Sequence, residues 1–84
     1  MSKKLFIGGI SWNVTDEQLR EVFEEIGEVV YCKIIMDRET GRSRGFGFVE
    51  YATDAEANEA IDKFEGYELD GRALHVSAAR ERDR

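Results

Sequence analysis

The segment Arg44-Gly45-Phe46-Gly47-Phe48-Val49-Glu50-Tyr51 alternates between two kinds of residue. In a β-strand, successive side chains point to opposite faces. One face of this strand then carries Arg44, Phe46, Phe48 and Glu50, and the other carries Gly45, Gly47, Val49 and Tyr51. The second set reads as a core face: the glycines allow close approach, while Val49 and Tyr51 supply apolar volume. The first set does not suit a core, because a cation and an anion flank its two rings. Such a strand holds aromatic rings toward water, and an exposed aromatic patch marks a binding surface. Rings beside an arginine on a flat sheet suit stacked bases next to phosphates.

Upstream, Lys4 to Gly9 repeats the pattern as a first strand. Leu5 and Ile7 share one face, and Lys4, Phe6 and Gly8 share the other, so an aromatic again sits beside a charge. Thr15 is a good helix N-cap, with Gln18 three residues on to complete a capping box and Val14 and Leu19 placed as a hydrophobic staple. Leu19, Val22, Phe23 and Ile26 form one apolar helical stripe, and Gly27 is expected at C′. Val29 to Met36 is a second strand, too uniformly apolar for periodicity to fix its faces. Asp37 to Ser43 is a polar loop with turn chemistry. Downstream, Thr53 and Glu56 make a second capping box, and Ala57, Ala60, Ile61 and Phe64 repeat the helical stripe before Gly66. Tyr67 to Arg72 is a turn region, tightest at Asp70-Gly71, and Leu74 and Val76 alternate with His75 and Ser77 in a last strand.

The order is therefore βαββαβ. Both helices must bury their stripes, and the sheet face bearing Leu5, Ile7, Val49, Tyr51, Leu74 and Val76 is the available partner. Two helices on one face leave the other uncovered, an α+β sandwich with an open sheet. Eighty-four residues make one small domain, with a core over about 4–79 and a flexible tail over 80–84.

The net charge of −6 opposes a polyanionic partner, but its distribution does not. Residues 16–28 and 54–70, which hold the helices, carry thirteen acids and two bases, leaving five acids and ten bases elsewhere. The expected molecule has an acidic back and a mildly basic front, so affinity should rest on stacking more than on phosphate charge. A single cysteine, Cys32, excludes an internal disulfide and a Cys-based zinc site, and the sole histidine, His75, lacks metal-binding partners. No metal or other cofactor is expected. No apolar run reaches membrane-spanning length and no signal peptide precedes the first strand, which points to an intracellular protein, cytoplasmic or nuclear.

The octamer Arg44 to Tyr51 matches the RNA-recognition-motif pattern K/R-G-F/Y-G/A-F-V-x-F/Y at every position. Leu5-Phe6-Ile7-Gly8-Gly9-Ile10 resembles the second, shorter signature of the same family at the usual separation. The chain thus resembles an RNA recognition motif (RRM) over about residues 4 to 79. The resemblance implies a ferredoxin-like fold with a four-stranded antiparallel sheet and two helices on one face. It implies that Cys32 and Ile34 face the core, while Tyr31, Lys33 and Ile35 face the open side. It also implies a site for single-stranded RNA, with single-stranded DNA as a related ligand.

Phe6, Phe46 and Phe48 are the expected stacking rings. Arg44 would reach a phosphate or base edge, with Lys4, Lys33 and Arg42 as further cations. The run from Phe6 to Trp12 is similar to the Musashi and hnRNP A/B group, where an aromatic at that position contacts RNA from the sheet's edge. Arg80 lies where that group carries a tail aromatic, and its guanidinium would stack or touch phosphate. The octamer also resembles glycine-rich and cold-inducible RNA-binding proteins. A monomeric module in RNA processing, stability or translation control is the expected role.

Two other functions compete. In a peptide-binding variant of the fold, a protein partner would use the sheet or the acidic helix face, but such variants usually lose the sheet aromatics that are all present here. An acylphosphatase-like enzyme would need an arginine in the Gly8 to Asn13 loop, which has none, and no nucleophile–base pair is visible.

Overall fold

The computed structural model describes residues 3–79, with the side chains of Ser43 and Arg44 outside the described set. The chain runs β1 (Lys4–Gly8), α1 (Asp16–Phe23), β2 (Val29–Met36), β3 (Ser43–Tyr51), α2 (Asp54–Phe64), β4 (Glu68–Leu69), β5 (Arg72–Ala73) and β6 (His75–Ala78). The main sheet has the order β2-β3-β1-β6, with every neighbour antiparallel. The expected α+β architecture is therefore present. The central pair, β1 and β3, aligns Leu5 with Val49, Phe6 with Phe48 and Gly8 with Phe46.

Leu5, Ile7, Val49, Tyr51, Leu74 and Val76 are buried beneath Leu19, Phe23, Ala57, Ala60 and Phe64 of the helices. The two helices meet through Phe23 and Phe64, whose ring centroids lie 4.6 Å apart. The small Ala57 and Ala60 let α2 lie close to the sheet. Tyr51 reaches across the layer to donate its hydroxyl to the Phe23 carbonyl at 2.5 Å. Burial pushes its phenol well above the ordinary tyrosine range, with the Glu56 carboxylate adding to the effect.

The α1 start follows the sequence closely. The Gln18 amide donates to the Thr15 hydroxyl at 3.2 Å, and the Gln18 side chain accepts from the Thr15 amide at 2.9 Å. At α2 the box is half made. The Glu56 amide donates to the Thr53 hydroxyl, but the Glu56 carboxylate accepts from that hydroxyl at 3.2 Å and not from the Thr53 amide.

The end of α1 departs from expectation. The helix stops at Phe23, and tight i→i+3 bonds from Glu25 to Val22 and from Ile26 to Phe23 carry the chain out. Gly27 is not a left-handed C′ residue. A Cβ there would meet the carboxylate end of the Glu56 side chain, a flexible group that can move aside. Gly66 does take the left-handed conformation after α2, at φ +81.

Two further features were not anticipated. Gly45 is not a core-facing spacer. Its φ of +86 and the slip in β2–β3 pairing between Ile34↔Gly47 and Met36↔Ser43 mark an irregularity, and its carbonyl accepts from Ile10 at 2.9 Å. The turn region also folds into a small hairpin, β4–β5, about Asp70 (φ 55) and Gly71 (φ 84). Paired positive φ values give a turn whose twist matches the flanking strands.

Both edges of the main sheet are covered by side chains from the helical layer. At β2, Asp16 accepts from the Ile34 amide at 2.9 Å and Arg20 donates to the Val29 carbonyl at 3.0 Å. At β6, Glu65 accepts from the Val76 amide at 2.6 Å. These contacts use edge groups that would otherwise pair with a foreign strand.

Candidate nucleic-acid interface

The sheet face opposite the helices carries the rings. Strand alternation puts Leu5, Ile7 and Val49 inside, so Phe6, Phe46 and Phe48 come out half-buried on the other side. They form a triangle, with centroids 5.7 Å apart for Phe6–Phe46, 5.8 Å for Phe6–Phe48 and 6.5 Å for Phe46–Phe48. Their mutual tilts brace them against one another, and both parent strands are interior to the sheet. Flat π-faces are thus presented without a conformational change.

The register builds rows around this triangle. Lys33, Phe48, Phe6 and Ser77 form one row from β2 to β6. Tyr31, Glu50 and Lys4 form the row on one side, and Phe46, Gly8 and His75 form the row on the other. The Lys4 ammonium lies 5.6 Å from the ring centroids of both Tyr31 and Phe48, a cation held against two π-faces. Tyr31 and Lys33 are exposed on the ring face of β2, as the resemblance implied, while Ile34 is buried and Cys32 packs partly against the core; Ile35 is half-buried where the β2–β3 pairing is irregular.

The model for the RNA recognition motif matches residues 5–75. This chain belongs to the RNA recognition motif family. It is 52% identical over 83 residues to the 29 kDa chloroplastic ribonucleoprotein B of Nicotiana sylvestris, covering 99% of this chain and 28% of the relative. It is 51% identical to the mitochondrial glycine-rich RNA-binding protein 4 of Arabidopsis thaliana, covering 98% of this chain and 60% of the relative. The chain thus spans only part of the curated relatives it matches. Among solved structures, a Sxl-lethal protein/RNA complex superposes with a TM-score of 0.92 at 29% identity, covering 99% of this chain and 50% of that chain.

In this RRM, Trp12 stands off the sheet on the β1–α1 loop, 64% exposed, so it is not a core anchor. The Arg42 guanidinium lies 5.7 Å from its ring centroid. Arg42 is presented by a loop stitched at its base: the Asp37 amide donates to the Arg42 carbonyl at 2.7 Å, and the Gly41 amide donates to the Asp37 carbonyl at 2.8 Å. A shallow groove lined by Trp12, Val14, Lys33, Ile34 and Met36 joins this corner to β2. The Arg44 side chain and all of Arg80 lie outside the described residues, so the roles expected of them have no geometry here.

Sequence reasoning named Glu50 on the open face but gave it no role, and it left His75 unassigned. The Leu74–Ser77 alternation was the signal for His75: Leu74 and Val76 are buried, so His75 and Ser77 must face out.

The remaining reactive groups of the RRM are quiet. Burial, with the Asp16 carboxylate adding to it, pushes the Cys32 thiol up to about 11, which keeps it protonated and un-nucleophilic at neutral pH. Among the described residues, no three His, Cys, Asp or Glu side chains cluster as a metal site. Among the same residues, no helix is long and apolar enough to cross a membrane.

Proposed function

We propose that this RRM is a non-catalytic module that binds single-stranded RNA by stacking bases on Phe6, Phe46 and Phe48. The ring triangle on an uncovered sheet face carries the reading. Trp12 extends the stacking surface past the sheet's edge. Lys4, Lys33, Arg42 and Arg44 serve the phosphates, Tyr31 and Ile35 line the β2 side, and Arg80 follows from the last strand. Base discrimination comes from hydrogen bonds to Watson–Crick edges. RNA processing, stability or translation control is the corresponding role, in a monomer within the cell, cytoplasmic or nuclear. Single-stranded DNA binds through the same rings without the 2′-hydroxyl contacts. A protein partner on the acidic helix face is a separate, compatible interaction.

A ¹H–¹⁵N titration with a degenerate short RNA pool and a matched DNA pool tests this. Shifts centred on Phe6, Trp12, Phe46 and Phe48 are expected. Shifts confined to the loop arginines would reduce the interaction to nonspecific charge contact, and silence throughout would overturn RNA binding.

A further inference from the structure

Glu50 is the one acid in the rows that cross the ring face, where phosphates must pass. Val49 and Tyr51 are fully buried on the helix side, so Glu50 between them points toward the rings. It pairs with Lys4 on β1 and with Tyr31 on β2, next to the row that holds Phe48 and Phe6. The residue is half-buried, and no hydrogen bond or ion pair among the described residues occupies its carboxylate.

Neither solvation nor sheet pairing accounts for an acid here. β3 is interior to the sheet, with β2 on one side and β1 on the other, so Glu50 does not stand at a wet edge. An ion pair with Lys4 would stabilise the two strands, but the Lys4 ammonium is drawn over the rings of Tyr31 and Phe48, 5.6 Å from each centroid. Lys4 thus puts a cation on this row to meet a phosphate, which leaves the carboxylate to face a base.

Residues two apart on a strand are separated by about 7 Å, so the carboxylate stands just beyond the edge of the Phe48 ring. A base stacked on that ring presents its own edge there. A carboxylate only accepts, and its two oxygens suit two N–H groups side by side. Among Watson–Crick edges, guanine alone offers such a pair, N1–H and N2–H. Adenine and cytosine set an acceptor nitrogen beside their amino group, and uracil flanks its N–H with carbonyls.

We infer that Glu50 selects guanine as the base stacked on Phe48, an inference resting on the reading that RNA lies on this sheet. One carboxylate oxygen accepts from N1–H and the other from N2–H. Each of the other bases brings an acceptor against the carboxylate, which costs desolvation with no bond in return. The selection therefore works by repelling the wrong edges as well as by holding the right one.

Fluorescence anisotropy with labelled oligoribonucleotides of about eight nucleotides tests this. One strand is all adenine and one carries a single guanine. A third carries inosine at that place, which keeps N1–H and lacks the N2 amino group. Wild type should bind the guanine strand about tenfold more tightly than the all-adenine strand, the scale of one bidentate base contact, with the inosine strand between them. Glu50→Gln keeps the shape but puts a donor where one acceptor stood. It should bind the guanine and adenine strands alike, and the adenine strand more tightly than wild type does, because a charge that repels phosphates is gone. Amide spectra check the fold of the variant. Equal binding of all three strands by wild type, a guanine preference that persists in Glu50→Gln, or an equal loss on every strand in that variant overturns the inference. Phe48→Ala should weaken every strand. No binding by wild type, or no change in Phe48→Ala, would instead overturn the reading that RNA lies on the rings.

Discussion

Phe46 and Phe48 can be truncated without removing a side chain from the helix-facing core, which Leu5, Ile7, Val49, Tyr51 and the helix stripes build. Each ring stacked on a base is worth about 1–3 kcal/mol by truncation. Phe46→Ala with Phe48→Ala should therefore weaken RNA binding by about 2–6 kcal/mol while the melting temperature stays nearly unchanged. Calorimetric binding and thermal unfolding on the same protein separate the two effects. A large drop in melting temperature would show that the rings are structural.

Tyr51 behaves in the opposite way, because its ring is fully buried and its hydroxyl is spent on Phe23. Its pKa is higher folded than unfolded, so the neutral phenol stabilises the fold below about pH 10, and that stability is lost as pH rises above it. Tyr51→Phe should cost about 1 kcal/mol at neutral pH and flatten the alkaline loss. Urea unfolding at neutral pH and above about pH 10 reads both. An alkaline loss equal in wild type and variant would rule out this role.

At the scale of elements, the two helix starts offer a direct comparison. Thr15 and Gln18 satisfy two main-chain amides reciprocally, whereas Thr53 and Glu56 satisfy one. Thr15→Ala and Thr53→Ala each remove the hydroxyl that accepts from an amide three residues on, and each should cost about 0.5–2 kcal/mol, measured by urea unfolding. Gln18→Ala removes only the reciprocal bond to the Thr15 amide, and no loss in that variant would mean that the second bond of the box contributes nothing.

Helix starts were legible because a cap is local chemistry: a side-chain oxygen and an amide three residues on. The end of α1 was not, because the chain leaves the helix through the i→i+3 bonds of Glu25 and Ile26 and not through a left-handed Gly27. The open face was legible for a similar reason. Alternation within one strand sets which side Phe46 and Phe48 take, and no distant contact has to be known. Gly45 misled because a glycine in a strand serves equally for close approach and for a left-handed bulge, and only the pairing with β2 distinguishes them. Trp12 was ambiguous because a loop aromatic can pack inward or stand out, and the deciding partner, Arg42, arrives from another loop.

For the whole molecule, the helices carry Glu17, Glu21, Glu24, Glu59 and Asp62 exposed on the side away from the rings, while Lys4, Lys33 and Arg42 lie on or beside the ring face. A polyanion approaching from behind is repelled, so the charge distribution orients the encounter more than it strengthens the complex. The number of contacts can be read from salt. Each phosphate contact on a single strand contributes about −0.7 to the slope of log affinity against log salt. Four contacts, from Lys4, Lys33, Arg42 and Arg44, give a slope of about −3, so a rise from about 50 to about 200 mM should cost about fiftyfold. A protein making six or more contacts on duplex DNA would lose about a thousandfold or more over the same range. A loss near fiftyfold would leave stacking as the main source of affinity, consistent with an acidic chain that still binds RNA. A loss near a thousandfold would require more cations on the RNA path than the described residues of the ring face present, and the affinity would then belong to charge and not to the phenylalanines.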